Sequence, residues 1–221
     1  MKVSGKPKKP WPTRDAMEQV YSKNLWGGSR SAFYSGAGSH HSEIIDPYIA
    51  TVASFLKSFK SPPVVCDLGC GDFNVGKELV NFAGQYKAVD IVEPLIRYNS
   101  EKFIQKNLEF YCLDIATDDL PSGNIVILRQ VLQHLSNDEI HAILRKLVNF
   151  DYLILTEHLP EGNFKPNIGI ISGQGTRLKK NSGVDISAPP FSFKFKEKKQ
   201  LLSIPAMNHK GIIETLLYRI H

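Results

Sequence analysis

Between residues 64 and 76 the chain reads VVCDLGCGDFNVG, an apolar run that ends in two closely spaced glycines, Gly69 and Gly71. Gly69 lets a chain leaving a strand turn sharply, and Gly71 lets bare backbone approach a ligand with no Cβ in the way. Asp90 follows 21 residues after Gly69, where a carboxylate can accept both hydroxyls of a ribose. Asp114 closes a third apolar run, FYCLDI, and is placed to meet an adenine amino group with Ile115 against the ring. Acids often follow strands for solubility or helix capping, so neither is specific alone. One acid after each of two neighbouring strands, beside a glycine turn, describes an adenosine site.

The dinucleotide pattern G-x-G-x-x-G is incomplete, because Asn74 stands where its last glycine would be. In nicotinamide sites that glycine permits close helix–strand packing beneath a pyrophosphate. Asp72 also sets a negative charge where phosphates would lie. A zwitterion carrying a sulfonium and an ammonium is opposed far less, and Asp67 suits the ammonium, directly or through water. A nicotinamide oxidoreductase is therefore disfavoured.

Further chemistry lies in RQVLQHL, residues 129–135, which brings Arg129, Gln133 and His134 after a fourth strand. His134 is the first choice for a general base or acceptor-orienting group, since imidazole titrates near neutral pH. Its alternative is a ring packed beside the cofactor and bonded to backbone. Arg129 either anchors an anionic acceptor group or braces the loop. Upstream, YSGAGSHHSE is a Gly/Ser loop able to fold over the site as a lid. It offers His40 as a second catalytic candidate beside His41, with Ser39 and Tyr34 as cofactor contacts. Trp26 reads as a packing anchor. His158 and Arg177 fall near the predicted mouth, and the irregular stretch 160–195 is where loop variation would set acceptor choice.

Positioning these groups takes alternating strands and helices. The spacing predicts a helix in 13–26 with Ala16, Val20 and Leu25 on one face, and another over 42–59 with Ile45, Ile49, Val52, Ala53, Leu56 and Phe59 inward. Strands are expected at 64–68, 86–92, 108–115, 124–129 and 152–158, with a terminal pair at 200–206 and 212–220. A helix is predicted over 74–82, and Pro94 suits the first turn of the next. Ser136 followed by Glu139 forms a capping box before Ile140, Ile143, Leu144 and Leu147. The pattern is α/β, a mostly parallel sheet with helices on both faces, whose ligands bind beyond the carboxyl ends of the strands.

Composition narrows the classes. The 221 residues suit one domain, and 42% are apolar, enough for a single large core. No apolar run approaches the ~20 residues needed to span a bilayer, and MKVSGKPKKPWPTR lacks the apolar core of a secretory signal. A cytoplasmic location is expected, with no membrane partner. Cys66, Cys70 and Cys112 are too few for a disulfide framework, and without a C-x-x-C pair or a His cluster no metal is expected. They read as reduced thiols packed as small apolar groups. The net charge of +5 sits largely in Lys2, Lys6, Lys8, Lys9 and Arg14 and in Lys194, Lys196, Lys198 and Lys199, so it supports nucleic acid only weakly. The division expected is a flexible basic tail over 1–12, an N-terminal helix and lid-like loop over 13–41, and one catalytic domain over 42–221.

VVCDLGCGDFNVG, YKAVDIV and FYCLDI resemble the first three motifs of class I S-adenosylmethionine-dependent methyltransferases. LWGGSRSAFYSGAGSHHSE, DIVEPLI and RQVLQHLS resemble a little-characterised bacterial group within them. The resemblance covers about residues 42–159 plus the terminal strand pair. It implies a Rossmann-like, seven-stranded sheet in the order 3-2-1-4-5-7-6 and S-adenosylmethionine as methyl donor, with S-adenosylhomocysteine as product. The cofactor set it carries is Asp67, Gly69, Cys70, Gly71, Asp90, Ile91, Asp114 and Ile115, with Ser39 and Arg129; the catalytic set is His134, Arg129 and His40. Phe73 departs from the pattern, standing where many members have another glycine. APPFSF does not match the N/D-P-P-Y motif of amino-methylating DNA enzymes, because its prolines come about 60 residues after the fourth strand, behind Ala188. The acceptor expected is a small molecule. RNA or protein methylation, and a non-catalytic cofactor-binding module, are the alternatives.

Overall fold

Five runs between residues 64 and 159 form parallel strands; the central ones are largely apolar and buried on both faces, while the third lies at the sheet edge and is only partly buried. They are β1 (Val64–Leu68), β2 (Gln85–Asp90), β3 (Leu108–Cys112), β4 (Ile125–Arg129) and β5 (Tyr152–Leu159). β6 (Glu197–Pro205) forms an edge, and β7 (Ile212–Arg219) inserts antiparallel between it and β5. The sheet order is β3-β2-β1-β4-β5-β7-β6, the order implied by the motifs. This computed structural model describes residues 11–28, 33–207 and 210–221. Most of the basic tail and its four lysines, as well as residues 29–32 of the Gly/Ser loop, lie outside the described residues.

α2 (Ser42–Lys57) covers one face, burying Tyr48, Val52, Ala53 and Leu56 on Val65, Tyr86, Ile125, Ile127 and Ile154. α4 (Asn137–Leu147) and the connection after β5 cover the other, over Cys66, Leu68, Val126, Leu128 and Leu153. Both halves of the capping box are made: Ser136 Oγ accepts the Glu139 N–H, and the Glu139 carboxylate accepts the Ser136 N–H. α3 (Glu93–Lys102) begins with Pro94 in its first turn. α1 (Thr13–Ser22) lies across its start, packing Met17, Val20 and Tyr21 on Val92 and Leu95.

Two expectations are corrected. Residues 74–82 do not form an α-helix but two 3₁₀ turns, Gly76–Glu78 and Val80–Phe82, closed by bonds such as Leu79 N–H to Gly76 O and Ala83 N–H to Val80 O. Gly76 and the β-branched Val75 and Val80 disfavour the helix, and tighter winding still buries Val75 and Leu79. In α1 the inward residues are Met17, Val20 and Tyr21, while Leu25 lies beyond the helix and is exposed. Apolar spacing alone missed the tyrosine because its hydroxyl has a polar partner inside.

Candidate active site

The glycine turn is built by a small set of bonds. Val89 O accepts the Gly69 and Cys70 N–H groups at 2.8 and 2.9 Å. Asp90 Oδ2 accepts the Gly71 N–H at 3.0 Å, and its Oδ1 accepts the Val92 N–H at 3.1 Å. From α3, the fully buried Asn99 donates to Gly71 O at 2.7 Å. Gly69 and Gly71 have φ of +82° and +57°, the left-handed region glycine enters without strain. A Cβ on Gly69 would lie 2.4 Å from Val131 Cγ2, and one on Gly71 2.4 Å from Ser35 Oγ. Both glycines are required twice, by backbone angle and by space.

Phe73 settles the question its departure raised. It holds a φ of +61°, and its fully buried ring meets Phe110, Phe103 and Tyr86 edge-on at centroid distances of 4.9, 5.3 and 5.8 Å. Left-handed backbone at a non-glycine costs about 1–3 kcal/mol. Burying a phenylalanine gains about as much, and aromatic pairs add to it. The turn thus keeps a glycine-like path with an aromatic anchor under it.

Beyond the strand ends lies a cavity of about 410 Å³, within the usual range for small-molecule sites. Asp67, Gly69, Cys70, Gly71, Asp90, Ile91, Asp114, Ile115, Ser39 and Arg129 all line it, as does His134. These residues, expected at separate strand ends and in the Gly/Ser loop, thus share one cleft. Among the described residues, the carboxylates of Asp67, Asp72, Asp90, Asp114 and Glu139 line it, with the guanidinium of Arg129. A chain with net charge +5 has walled its cavity with acid, which favours a cationic occupant.

Burial pushes the Asp67 carboxyl up to about 6, although the Tyr86 hydroxyl donates to its Oδ2 at 2.9 Å and Arg129 lies near. Burial likewise raises Asp90, against the three backbone amides that favour its ionised form. The Cys70 thiol is driven well above its ordinary range by burial and by these carboxylates. All three cysteines are free thiols.

Residues 33–41 close over the turn. Asp72 Oδ2 accepts the Ser35 N–H at 2.8 Å and lies 2.6 Å from His40 Nε2, while the Asp72 N–H donates to Ser35 Oγ at 2.8 Å. Asn74 Nδ2 donates to Ser39 O at 2.8 Å, and Arg129 donates to Gly38 O and to Ser39 Oγ. Arg129 therefore braces the loop, with Cζ 5.0 Å from the Tyr48 ring centroid. His40 is corrected: its ring is held by Asp72, stacks on Tyr34 at 4.3 Å, and does not line the cavity. Tyr34 is off the wall for the same reason, and His41 is the N-cap residue of α2.

His134 does line the cavity, with both ring nitrogens engaged. A carbonyl can only accept, so Nδ1–H donates to Gly175 O at 3.3 Å, leaving Nε2 to accept from Gln133 Nε2 at 3.2 Å. Gln133 Oε1 in turn accepts the His158 N–H at 3.3 Å, which fixes the amide orientation. Burial lowers His134 to about 4, so the ring is neutral at physiological pH. Trp26 packs on it at 5.2 Å and shares the wall. His158 also lines the cavity, whereas Arg177 is buried behind it.

Sequence reading missed Asn99, Tyr86 and the Tyr21–Ser35 pair, whose oxygens lie 3.0 Å apart. Asn99 alone left a signal, a polar residue in register with Leu95 and Ile96 on the inward face of a helix. Among the described residues no group of three His, Cys, Asp or Glu side chains is arranged to hold a metal ion.

Comparison with known proteins bears on the domain and the fold. Residues 65–150 match the family described as "Methyltransferase domain". A phosphoethanolamine N-methyltransferase of Triticum aestivum is 29% identical over 105 residues, 45% of this chain and 21% of its own length. The chain thus spans about a fifth of the curated relatives it matches. Among solved structures, the N-methyltransferase NodS of Bradyrhizobium japonicum, in complex with S-adenosylhomocysteine, superposes with a TM-score of 0.64 at 9% identity, covering 93% of this chain and 99% of that one. The magnesium protoporphyrin IX methyltransferase of Synechocystis, with bound S-adenosylmethionine, gives 0.59 at 15% identity, over 96% and 100% of the two chains. The fold is that of the class I methyltransferases.

Proposed function

We infer that this chain, which carries a class I S-adenosylmethionine-dependent methyltransferase domain, binds S-adenosylmethionine in the acid-walled cavity and methylates a small molecule. The observation that carries the reading is the meeting of Asp90, Asp114 and the Gly69–Gly71 turn on one cleft lined, among the described residues, by five carboxylates and one arginine. Asp90 would hold the ribose, Asp114 and Ile115 the adenine, and Asp67 the ammonium. The donor fits this set because its sulfonium and ammonium complement a wall that would repel a pyrophosphate.

The bound sulfonium supplies a methyl group that is already activated. The protein's share is then alignment and exclusion of water. Residues 33–41 act as the lid, fastened by Asp72, Asn74 and Arg129. With its ring neutral and both nitrogens engaged, His134 shapes the wall and orients Gln133 rather than carrying a proton. An acceptor that is nucleophilic as bound needs no base. A cavity with this many carboxylates on its wall suits a small acceptor better than a polyanion such as RNA.

Incubation with donor labelled in the methyl group, over pools of small metabolites, tests the reading. Label is expected in a small product, and its appearance requires Asp90. Label confined to RNA or protein, or none transferred to any pool, would contradict it.

A further inference from the structure

We propose that Arg177 is a positioning residue for the transfer site, fixing with Glu157 the short turn that forms one wall of the cavity. The proposal rests on the reading of that cavity as the methyl-donor site. The turn is the 3₁₀ segment Leu132–His134, which follows β4 and contributes Gln133 and His134 to the wall, with Val131 and Leu135 on either side. A helix of three residues has no stability of its own, and its terminal N–H and C=O groups need partners from outside.

Two buried side chains, a carboxyl and a guanidinium, supply them. Glu157, at the end of β5, accepts the Leu132 N–H on Oε1 at 3.1 Å and the Gln133 N–H on Oε2 at 3.0 Å. Arg177 is only 1% exposed. Its Nη1 donates to Leu132 O at 3.0 Å and more distantly to Gln133 O at 3.4 Å; its Nη2 donates to Leu135 O and Asn137 Oδ1, both at 2.7 Å. The carboxyl meets the amide end of the turn and the guanidinium its carbonyl end, so each supplies the partner that end lacks.

The same stretch grips the turn a second time. Gly173 N–H donates to His134 O at 3.0 Å, and Gly175 O accepts from the His134 ring. Gln174 Nε2 reaches back to Leu25 O at 2.9 Å, joining this stretch to the N-terminal part beside Trp26. An apolar side chain would fill the Arg177 site without the cost of burying a charge. What the guanidinium adds is a fixed fork of donors on named carbonyls, and a lysine ammonium cannot reproduce that fork.

The test is titration calorimetry of the full chain with S-adenosylhomocysteine, for wild type, Arg177→Lys and Arg177→Met. It is paired with nuclear magnetic resonance titration of the His134 ring. Both variants are expected to lower affinity at least tenfold under conditions where they remain folded. Arg177→Lys should also let His134 titrate closer to the ordinary histidine value, as water enters beside a loosened turn. General destabilisation would lower the melting temperature without moving that titration in the folded protein. Arg177→Met folds less securely, so Arg177→Lys decides the matter. Wild-type affinity in folded Arg177→Lys would overturn the proposal, wherever His134 titrates. If wild type itself binds no S-adenosylhomocysteine, the cofactor reading fails instead, so the two failures are separable.

Discussion

A carboxyl held near 6 by burial, as Asp67 is, ties ligand affinity to pH. Below pH 6 the group is largely neutral, and a cationic ammonium gains little from it. Above pH 6 the group is charged, so affinity for S-adenosylmethionine should rise between pH 5 and 7 and then level. Binding near pH 6 must release protons, seen as calorimetric heats that change with the buffer. Asp90 is raised as well, so Asp67→Asn is the control: it should flatten most of the rise. An affinity flat from pH 5 to 7.5 in wild type would remove Asp67 from the site. Phe73 allows a second prediction at this scale. Phe73→Gly relieves the left-handed backbone but deletes a fully buried ring, and the ring is the larger quantity. A net loss of about 2–4 kcal/mol in denaturant unfolding is expected; a gain in stability would mean that backbone strain had outweighed the burial of the ring.

Elements matter here for what they hold in place. The Asp72 carboxylate ties residues 33–41 by two bonds, to the Ser35 amide and to the His40 ring. Asp72→Ala should speed dissociation of S-adenosylhomocysteine about tenfold, equivalent to roughly 1.4 kcal/mol of lost fastening. Stopped-flow fluorescence from the cavity-wall Trp26 can read it, and an unchanged off-rate would show that the lid is not the barrier to exit. Ser136→Ala removes the cap of α4 and should cost about 1 kcal/mol, shifting the denaturation midpoint with the slope unchanged. The capping box was legible because its signal is two residue types at fixed spacing. The central strands were legible because burial on both faces leaves largely apolar runs, as in β1, β4 and β5. The helix expected over 74–82 failed because apolar spacing at 75, 79 and 82 does not distinguish α from 3₁₀ winding when Gly76 interrupts.

At the scale of the molecule, the sheet order could be read in advance, and so could the residues that gather at the strand ends, because each rests on local chemistry: a glycine turn and one acid per strand end. The partners that brace the wall could not. Glu157 and Arg177 meet the turn at 132–134 from sequence separations of 25 and 45 residues, and no spacing rule links them. His40 was misplaced for a related reason: the loop supplied the right residue type, but Asp72 holds the ring off the cavity. The chain's net charge misleads in the same way, since a basic total surrounds an acidic interior. No helix among the described residues is long and apolar enough to cross a membrane.

Calorimetric titration of the purified chain with S-adenosylhomocysteine tests the account most directly, run beside Asp90→Ala. The geometry predicts one site per chain in the wild type. It also predicts at least a tenfold weaker site in the variant, since a hydrogen bond to a charged group contributes about 1.5–3 kcal/mol. A folded wild-type protein that gives no binding heat, or an Asp90→Ala variant that binds as tightly as wild type, would contradict it.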